Sequence, residues 1–285
     1  MLTNTGALED YLEVVGAGQK LKLKTSPHIT IPTTAGTGAE VTRNAVLSVP
    51  EHRVKVSMRS PYMLPQLAVV DPELTHSMPL GVTASTGLDA LTQLLEVYVS
   101  GLANPMTDGI CREGLLRVGR SLHRAYKHGN DHEAREDMAM ASCFSGLGLA
   151  NAKLGAVHGF AGPLGGMYSA PHGVICARLL PFVIEANVQA IQQRDPTSPA
   201  LVKYDEAARL MTGNASAKAD DAVKWVQELC LALNVPSLAR FGLQQQDFDT
   251  IAAKAKKSSS MKGNPIELTD DELLDVLRQA NTDTP

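Results

Sequence analysis

Aromatic residues are scarce. One Trp, five Phe and six Tyr make up 4% of the 285 residues, too few for a surface that stacks nucleobases. Neither sign of charge predominates: 26 Lys and Arg against 30 Asp and Glu leave a net charge of −4 and a pI near 6.1. Such a balance argues against nucleic acid and anionic membranes as partners. The four cysteines, Cys111, Cys143, Cys176 and Cys230, form no C-x-x-C pair. Their spacing is that of reduced thiols, and each reads as a small buried residue. The opening MLTNTGALEDYLEVVG has no basic start followed by an apolar run, so no signal peptide is expected. The longest weakly polar run, residues 138–152, is too short and too rich in Ser and Gly to cross a bilayer. A cytoplasmic protein is the expectation.

A phosphate-binding glycine turn of the dinucleotide type is also missing. VVGAGQKL starts like G-x-G-x-x-G, but Leu21 stands at the third glycine and an acidic stretch precedes it instead of a buried strand.

What is present is a stretch of small residues around two of the eight histidines, GAVHGFAGPLGGMYSAPHG, with His158 and His172 and no charge between them. Imidazole is a common metal ligand, and small residues let a ligand approach the backbone. Each histidine could equally be hydrogen-bonded in a tight loop. A metal would need a third group, usually a carboxylate. STGLDALTQLLEVYV offers one. Leu88, Leu91, Leu95 and Val99 recur at helical spacing, and Asp89 and Gln93 share a face one turn apart.

Upstream, HITIPTT alternates like a strand over residues 28–34, and AGTGAE follows as a small-residue loop. Strand, glycine turn and hydroxyls suit a phosphate or ribose contact, although an ordinary Thr-rich strand end reads the same way. Residues 44–49 and 54–58 alternate around PEHR as a β-hairpin. LAVVDPEL, residues 67–74, reads as a buried strand. Near residues 79–82 strand signals stop and helical patterns begin. A short helix is expected over residues 8–15. Longer ones are expected over 108–126, with Arg112, Arg117 and Arg120 outward, and over 131–146, 174–193, 204–211, 218–233, 246–256 and 270–279. Asp270 and Asp271 fall in the first turn of the last, where the helix dipole favours them. SSSMKGNP, residues 258–265, reads as a flexible loop.

Together these segments resemble the iron-containing (group III) alcohol dehydrogenases. That family carries A-T-G-x-D-A-L-T-H, then V-H-x-x-A-H-P-L-G, then P-H-G; STGLDALTQ, VHGFAGPLG and PHG match them here. The resemblance runs from about Pro27 to Pro265. It implies a dehydroquinate-synthase-like fold: a partial α/β dinucleotide-binding domain over residues 1–80, then an all-α metal-binding domain over 81–285. It further implies a divalent metal, Fe²⁺ or Zn²⁺, on Asp89, Gln93, His158 and His172, with His158 and His172 as the catalytic pair. NAD or NADP would lie against Thr33, Thr34, Gly36, Thr37, Gly38, Asn44 and Lys55. Two positions depart from the family. Gln93 stands where it has a ligating histidine, and Gly162 where it has a histidine beside the nicotinamide.

The implied activity is metal-assisted, NAD(P)-dependent oxidation of an alcohol or reduction of an aldehyde. The alternatives are a metal-independent, maleylacetate-reductase-like reductase, favoured by Gln93, and an inactive truncated member. In the family a G-G-G-S phosphate turn precedes the region matching Leu8, so this chain is expected to start inside the cofactor domain. Residues 1–80 would then be less well ordered than the helical part or pair with another chain, a homodimer being one such arrangement. Asp89, His158 and His172 are expected to converge beside the loop over residues 33–38.

Overall fold

The computed structural model describes residues 3–282. Among the described residues, strand structure is confined to the first quarter of the chain. β1 (Ile29–Thr30) pairs in parallel with β4 (Leu67–Ala68), Ile29 opposite Leu67. β2 (Asn44–Val49) and β3 (Val54–Arg59) form the expected antiparallel hairpin, with Val49 opposite Val54. Its turn is a 3-10 segment, Pro50–His52, closed by Arg53 in the left-handed region at φ 50.

Three expectations for this region need correction. The strand read over residues 28–34 keeps only two paired residues, because Pro32 has no N–H to give a ladder. The strand over 67–74 is equally short and is not buried: Leu67 is 51% exposed. A two-stranded sheet has no second layer over it among the described residues, so Ile29 and Ile31 are exposed as well. Asp71 then stops the strand by capping a 3-10 turn, Pro72–Thr75, accepting the Glu73 N–H at 3.0 Å. The helix over residues 8–15 is only the 3-10 turn Leu8–Tyr11, and the chain reverses at Val14, where φ is 69. Tyr11, Leu12 and Leu21 pack there on Val56 and Met58 of β3 as a small separate core.

From Leu80 onward the chain is helical. α1 (Leu80–Val99) is buried on nearly every side, including the expected stripe of Leu88, Leu91, Leu95 and Val99, and is the axis of the main core. α2 (Pro105–Lys127) starts at Asn104, whose side chain accepts the N–H groups of Met106 and Thr107. α3 (His132–Asn151) starts at Asp131 in the same way. Of the three arginines read as outward on α2, Arg112 and Arg120 are exposed, Arg112 pairing with Glu206. Arg117 is half-buried and, with Arg120, binds Asp137 of α3, at 2.8 and 2.6 Å respectively.

α4 (Ala156–Met167) is the element that sequence patterning did not show; the segment reads as a glycine-rich loop but is a helix with Pro163 inside it. Its glycines serve close packing. A Cβ at Gly166 would lie 2.4 Å from the Val54 backbone, so the hairpin rests directly on the helix. α5 (His172–Arg194) follows, then α6 (Pro199–Thr212), α7 (Ala219–Ala232), α8 (Phe248–Lys257) and α9 (Asp270–Ala280). α9 opens on a Thr269–Glu272 capping box with Asp270 and Asp271 in its first turn, as expected. By length and composition α5 could span a bilayer, unlike anything read from the sequence, yet 78% of its most apolar stretch is buried in the helical core.

The segment over residues 258–265 is pinned, contrary to expectation. Met261–Gly263 is a 3-10 turn, and Asn264 accepts the Ala156 N–H at 3.1 Å while bonding Asn187.

Candidate metal centre

Helices α1, α4 and α5 meet around one point. α1 supplies Asp89, 2% exposed. α4 supplies His158 from its first turn, and α5 supplies His172 as its first residue. The start of α5 can lie this close to α1 because residue 173 is glycine; a Cβ there would sit 2.1 Å from the Ser85 carbonyl. The structure therefore brings together the three residues that the sequence singled out. Asp89 Oδ1 lies 3.4 Å from His158 Nε2 and 3.5 Å from His172 Nε2, and the two rings are 5.3 Å apart at their centroids. Asp89 and His158 are closed off, whereas the His172 side chain is 39% exposed and gives the site its open side.

Glu96 fixes His158. Two helical turns after Asp89 on the same face of α1, its carboxylate accepts His158 Nδ1–H at 2.6 Å and the Val157 N–H at 2.7 Å. It thus satisfies an orphan donor at the N-terminus of α4 and leaves His158 Nε2 directed at the common point. Cys176 also reaches that point. Its Sγ is 3.6 Å from His172 Nε2 and 3.8 Å from His158 Nε2. Asp89, His158, His172 and Cys176 present donor atoms all within 4.8 Å of one another.

Sequence reasoning passed over both Glu96 and Cys176. The signal was spacing: Glu96 is seven residues after Asp89 and Cys176 four after His172, each on the face of its helix that already carried a candidate. Gln93 donates from Nε2 to Asp89 Oδ2 at 3.5 Å, and its Oε1 is buried without a partner.

The charges are mutually dependent. Burial acts to raise the Asp89 pKa, but the neighbouring His158 and His172 imidazoles outweigh it and hold it below the usual carboxylate range. Burial opposes protonation of His158, yet Cys176, Glu96 and Asp89 together raise it well above the ordinary imidazole value. Cys176, with help from Asp89, raises His172 against burial. Two imidazoles whose protonated forms are favoured, set around a buried carboxylate, make a place that accepts positive charge. Asp89 Oδ1 is buried and accepts no hydrogen bond, and a buried carboxylate oxygen in that state is costly. One carboxylate oxygen and two imidazole nitrogens facing it suit a divalent ion of the iron or zinc kind.

The loop read as a cofactor contact lies alongside. Gly36 abuts Thr86, three residues before Asp89, and Gly38 abuts Ser142 and Gly146 of α3. Both glycines are buried in these contacts, whereas Thr33, Thr34 and Thr37 are exposed. Asn44 opens β2, and Lys55 of β3 lies over Gly165 of α4. Nothing stands within 4 Å of where a Cβ at Gly162 would be.

Comparison with known proteins gives the family. The sequence matches the Fe-containing alcohol dehydrogenase family, C-terminal, over residues 83–281, and iron-containing alcohol dehydrogenase over residues 1–72. Alcohol dehydrogenase 4 of Saccharomyces cerevisiae is 36% identical over 281 residues, covering 98% of this chain and 70% of the yeast protein. Among solved structures, a 1,3-propanediol oxidoreductase superposes with a TM-score of 0.87 at 35% identity, covering 98% of this chain and 71% of that one. A sulfoacetaldehyde reductase from Bifidobacterium kashiwanohense, solved with NAD⁺, gives 0.84 at 29% identity, covering 98% and 70%. The chain is thus shorter than these relatives. Its fold is theirs, a partial α/β domain followed by a helical one, and the chain belongs to the iron-containing alcohol dehydrogenase family, oxidoreductases acting on CH–OH groups.

Proposed function

We propose that this chain carries out metal-assisted, NAD(P)-linked interconversion of a small alcohol and its aldehyde, with Asp89, His158 and His172 holding Fe²⁺ or Zn²⁺. The observation that carries this reading is the buried Asp89 Oδ1, free of hydrogen bonds and faced by two imidazole nitrogens at 3.4 and 3.5 Å. When bound, such an ion supplies Lewis-acid polarisation of a carbonyl oxygen, and a reduced nicotinamide supplies the hydride. Glu96 holds His158 in the tautomer and orientation a ligand needs. Gln93 steadies Asp89 through its second oxygen. The exposed side of His172 and the open space at Gly162 leave room for substrate on one side of the point. Thr33, Thr34, Thr37, Asn44 and Lys55 are the groups we assign to the nicotinamide nucleotide, with Gly36 and Gly38 holding their loop against α1 and α3. A sulfoacetaldehyde reductase of the same fold has been solved with NAD⁺, which supports a nicotinamide nucleotide as the cofactor. We divide the chain into a cofactor part, residues 1–80, and a metal-binding part, 81–285, and place it in the cytoplasm.

The test is metal analysis of chelator-treated protein after reloading with Fe²⁺ or Zn²⁺. Wild type should retain about one equivalent and His158→Ala almost none, as expected when one of so few ligands is removed. Equal retention by both would overturn the reading.

A further inference from the structure

We propose that Cys176 is a fourth ligand, so that Asp89, His158, His172 and Cys176 form a thiolate-containing tetrahedral site that selects a thiophilic divalent ion. The proposal rests on the metal-binding reading above and adds to it the residue that stands in for the imidazole lost at Gln93. Metal bonds of ~2.0 Å to nitrogen or oxygen and ~2.3 Å to sulfur, at tetrahedral angles, put N and O donors ~3.3 Å apart and S and N donors ~3.6 Å apart. The structure shows Asp89 Oδ1 to the two Nε2 atoms at 3.4 and 3.5 Å, and Cys176 Sγ to the same atoms at 3.6 and 3.8 Å. Four edges of the tetrahedron are thus already close to the lengths an ion would impose.

The other buried cysteines differ in kind. Cys230 donates to the Ala177 carbonyl, and Cys111 lies among apolar neighbours, burial pushing its pKa up to about 12. Only Cys176, of the four, faces imidazoles among the described residues. The His158 Nε2 it approaches is available for coordination, since the His158 Nδ1 is occupied by Glu96, and the His172 Nε2 it approaches is the ring nitrogen that faces Asp89. One turn separates His172 and Cys176 on α5, so a single helix presents both with no change of backbone.

An Asp-His-His-Cys set is softer than a carboxylate and three imidazoles. Thiolate ligation favours zinc over harder ions such as Mn²⁺ or Mg²⁺. On binding, the thiol proton leaves to solvent and sulfur donates an electron pair to the metal; no redox partner is needed. The exposed side of His172 would leave substrate an approach to the site.

Cobalt(II) titration of the reduced, chelator-treated full chain tests this directly. Wild type should take up one equivalent and develop an intense near-ultraviolet sulfur-to-cobalt charge-transfer band beside the visible bands of tetrahedral cobalt. Cys176→Ser, nearly isosteric, should lose the near-ultraviolet band. It should also bind cobalt more weakly, by at least the ~10–100-fold that loss of a supporting outer-shell group costs. Its discrimination for Zn²⁺ over Mn²⁺ should fall too. Cys143→Ser, away from the site, should keep the band. One equivalent of cobalt bound by wild type without the charge-transfer band, or a band surviving in Cys176→Ser, would overturn the role of Cys176 and leave the three-ligand reading intact. No cobalt uptake by wild type would overturn both.

Discussion

Glu96 does two jobs with one carboxylate. It orients His158 through Nδ1 at 2.6 Å, and it caps α4 through the Val157 N–H at 2.7 Å. An amide at this position can still accept one of these bonds but loses the charge that complements the α4 N-terminus and strengthens His158 as a ligand. Glu96→Gln is therefore expected to weaken zinc binding by about 10–100-fold while leaving the fold in place. Calorimetric titration and circular dichroism together check it, and unchanged zinc affinity would show that Glu96 only caps the helix. At this scale the sequence was informative about chemistry and poor about neighbours. Asp89, His158 and His172 stood out because a family pattern and an uncharged setting framed them. Cys176 and Glu96 carried no such frame. A thiol in an apolar helix reads as core, and an acid among leucines reads as solvated, until the packing of three helices places them around one point.

Among the elements, the long helices of the second part were legible because their apolar spacing and caps agree. The Thr269–Glu272 box and the Asn104 cap are examples. α4 was not, because its glycines remove the apolar pattern on which a helix is read. They are there for close approach, to β3 at Gly166 and to Met261 at Gly159. The short β1 and β4 failed for another reason: pairing, not alternation, limits a strand, and Pro32 ends it. Two glycine substitutions separate these roles. Gly38 sits at φ +58, and a Cβ there would lie 2.3 Å from the Ser142 carbonyl. Gly38→Ala is expected to cost about 2 kcal/mol or more, from left-handed strain and overpacking of the loop on α3. Gly162, inside α4 with nothing near its missing Cβ, should behave in the opposite sense. Gly162→Ala is expected to be neutral or stabilising by up to about 1 kcal/mol, through helix propensity. Thermal melts of both read the signs, and a stabilising Gly38→Ala would mean that the loop does not dock as described.

For the molecule as a whole, the metal point ties α1, α4 and α5 together, so an ion there stabilises the fold by mass action. The pH dependence of that stabilisation can be given a sign. In the metal-free fold His158 and His172 hold their protons above the ordinary imidazole range. Their contribution to stability is therefore fully present below the unfolded value of about 6.5 and is lost as pH rises through the raised folded values. Asp89 has a lowered pKa, so its contribution is present above the ordinary carboxylate value and lost only on strong acidification. Metal binding must displace the imidazole protons, so affinity rises with pH. The two trends oppose each other: from about pH 6 to about pH 8 the metal-free protein loses stabilisation from these histidines while the metal-loaded protein gains it. The gap in Tm between zinc-loaded and chelator-treated protein is thus expected to widen with pH, by roughly 3 °C for each tenfold gain in affinity. Scanning calorimetry of the two forms across that range measures the gap. His172→Ala should reduce both the gap and its slope, because it removes a ligand and one of the displaced protons together. A gap that stays constant or narrows as pH rises would mean that the ion does not compete with these protons, and so does not bind at Asp89, His158 and His172.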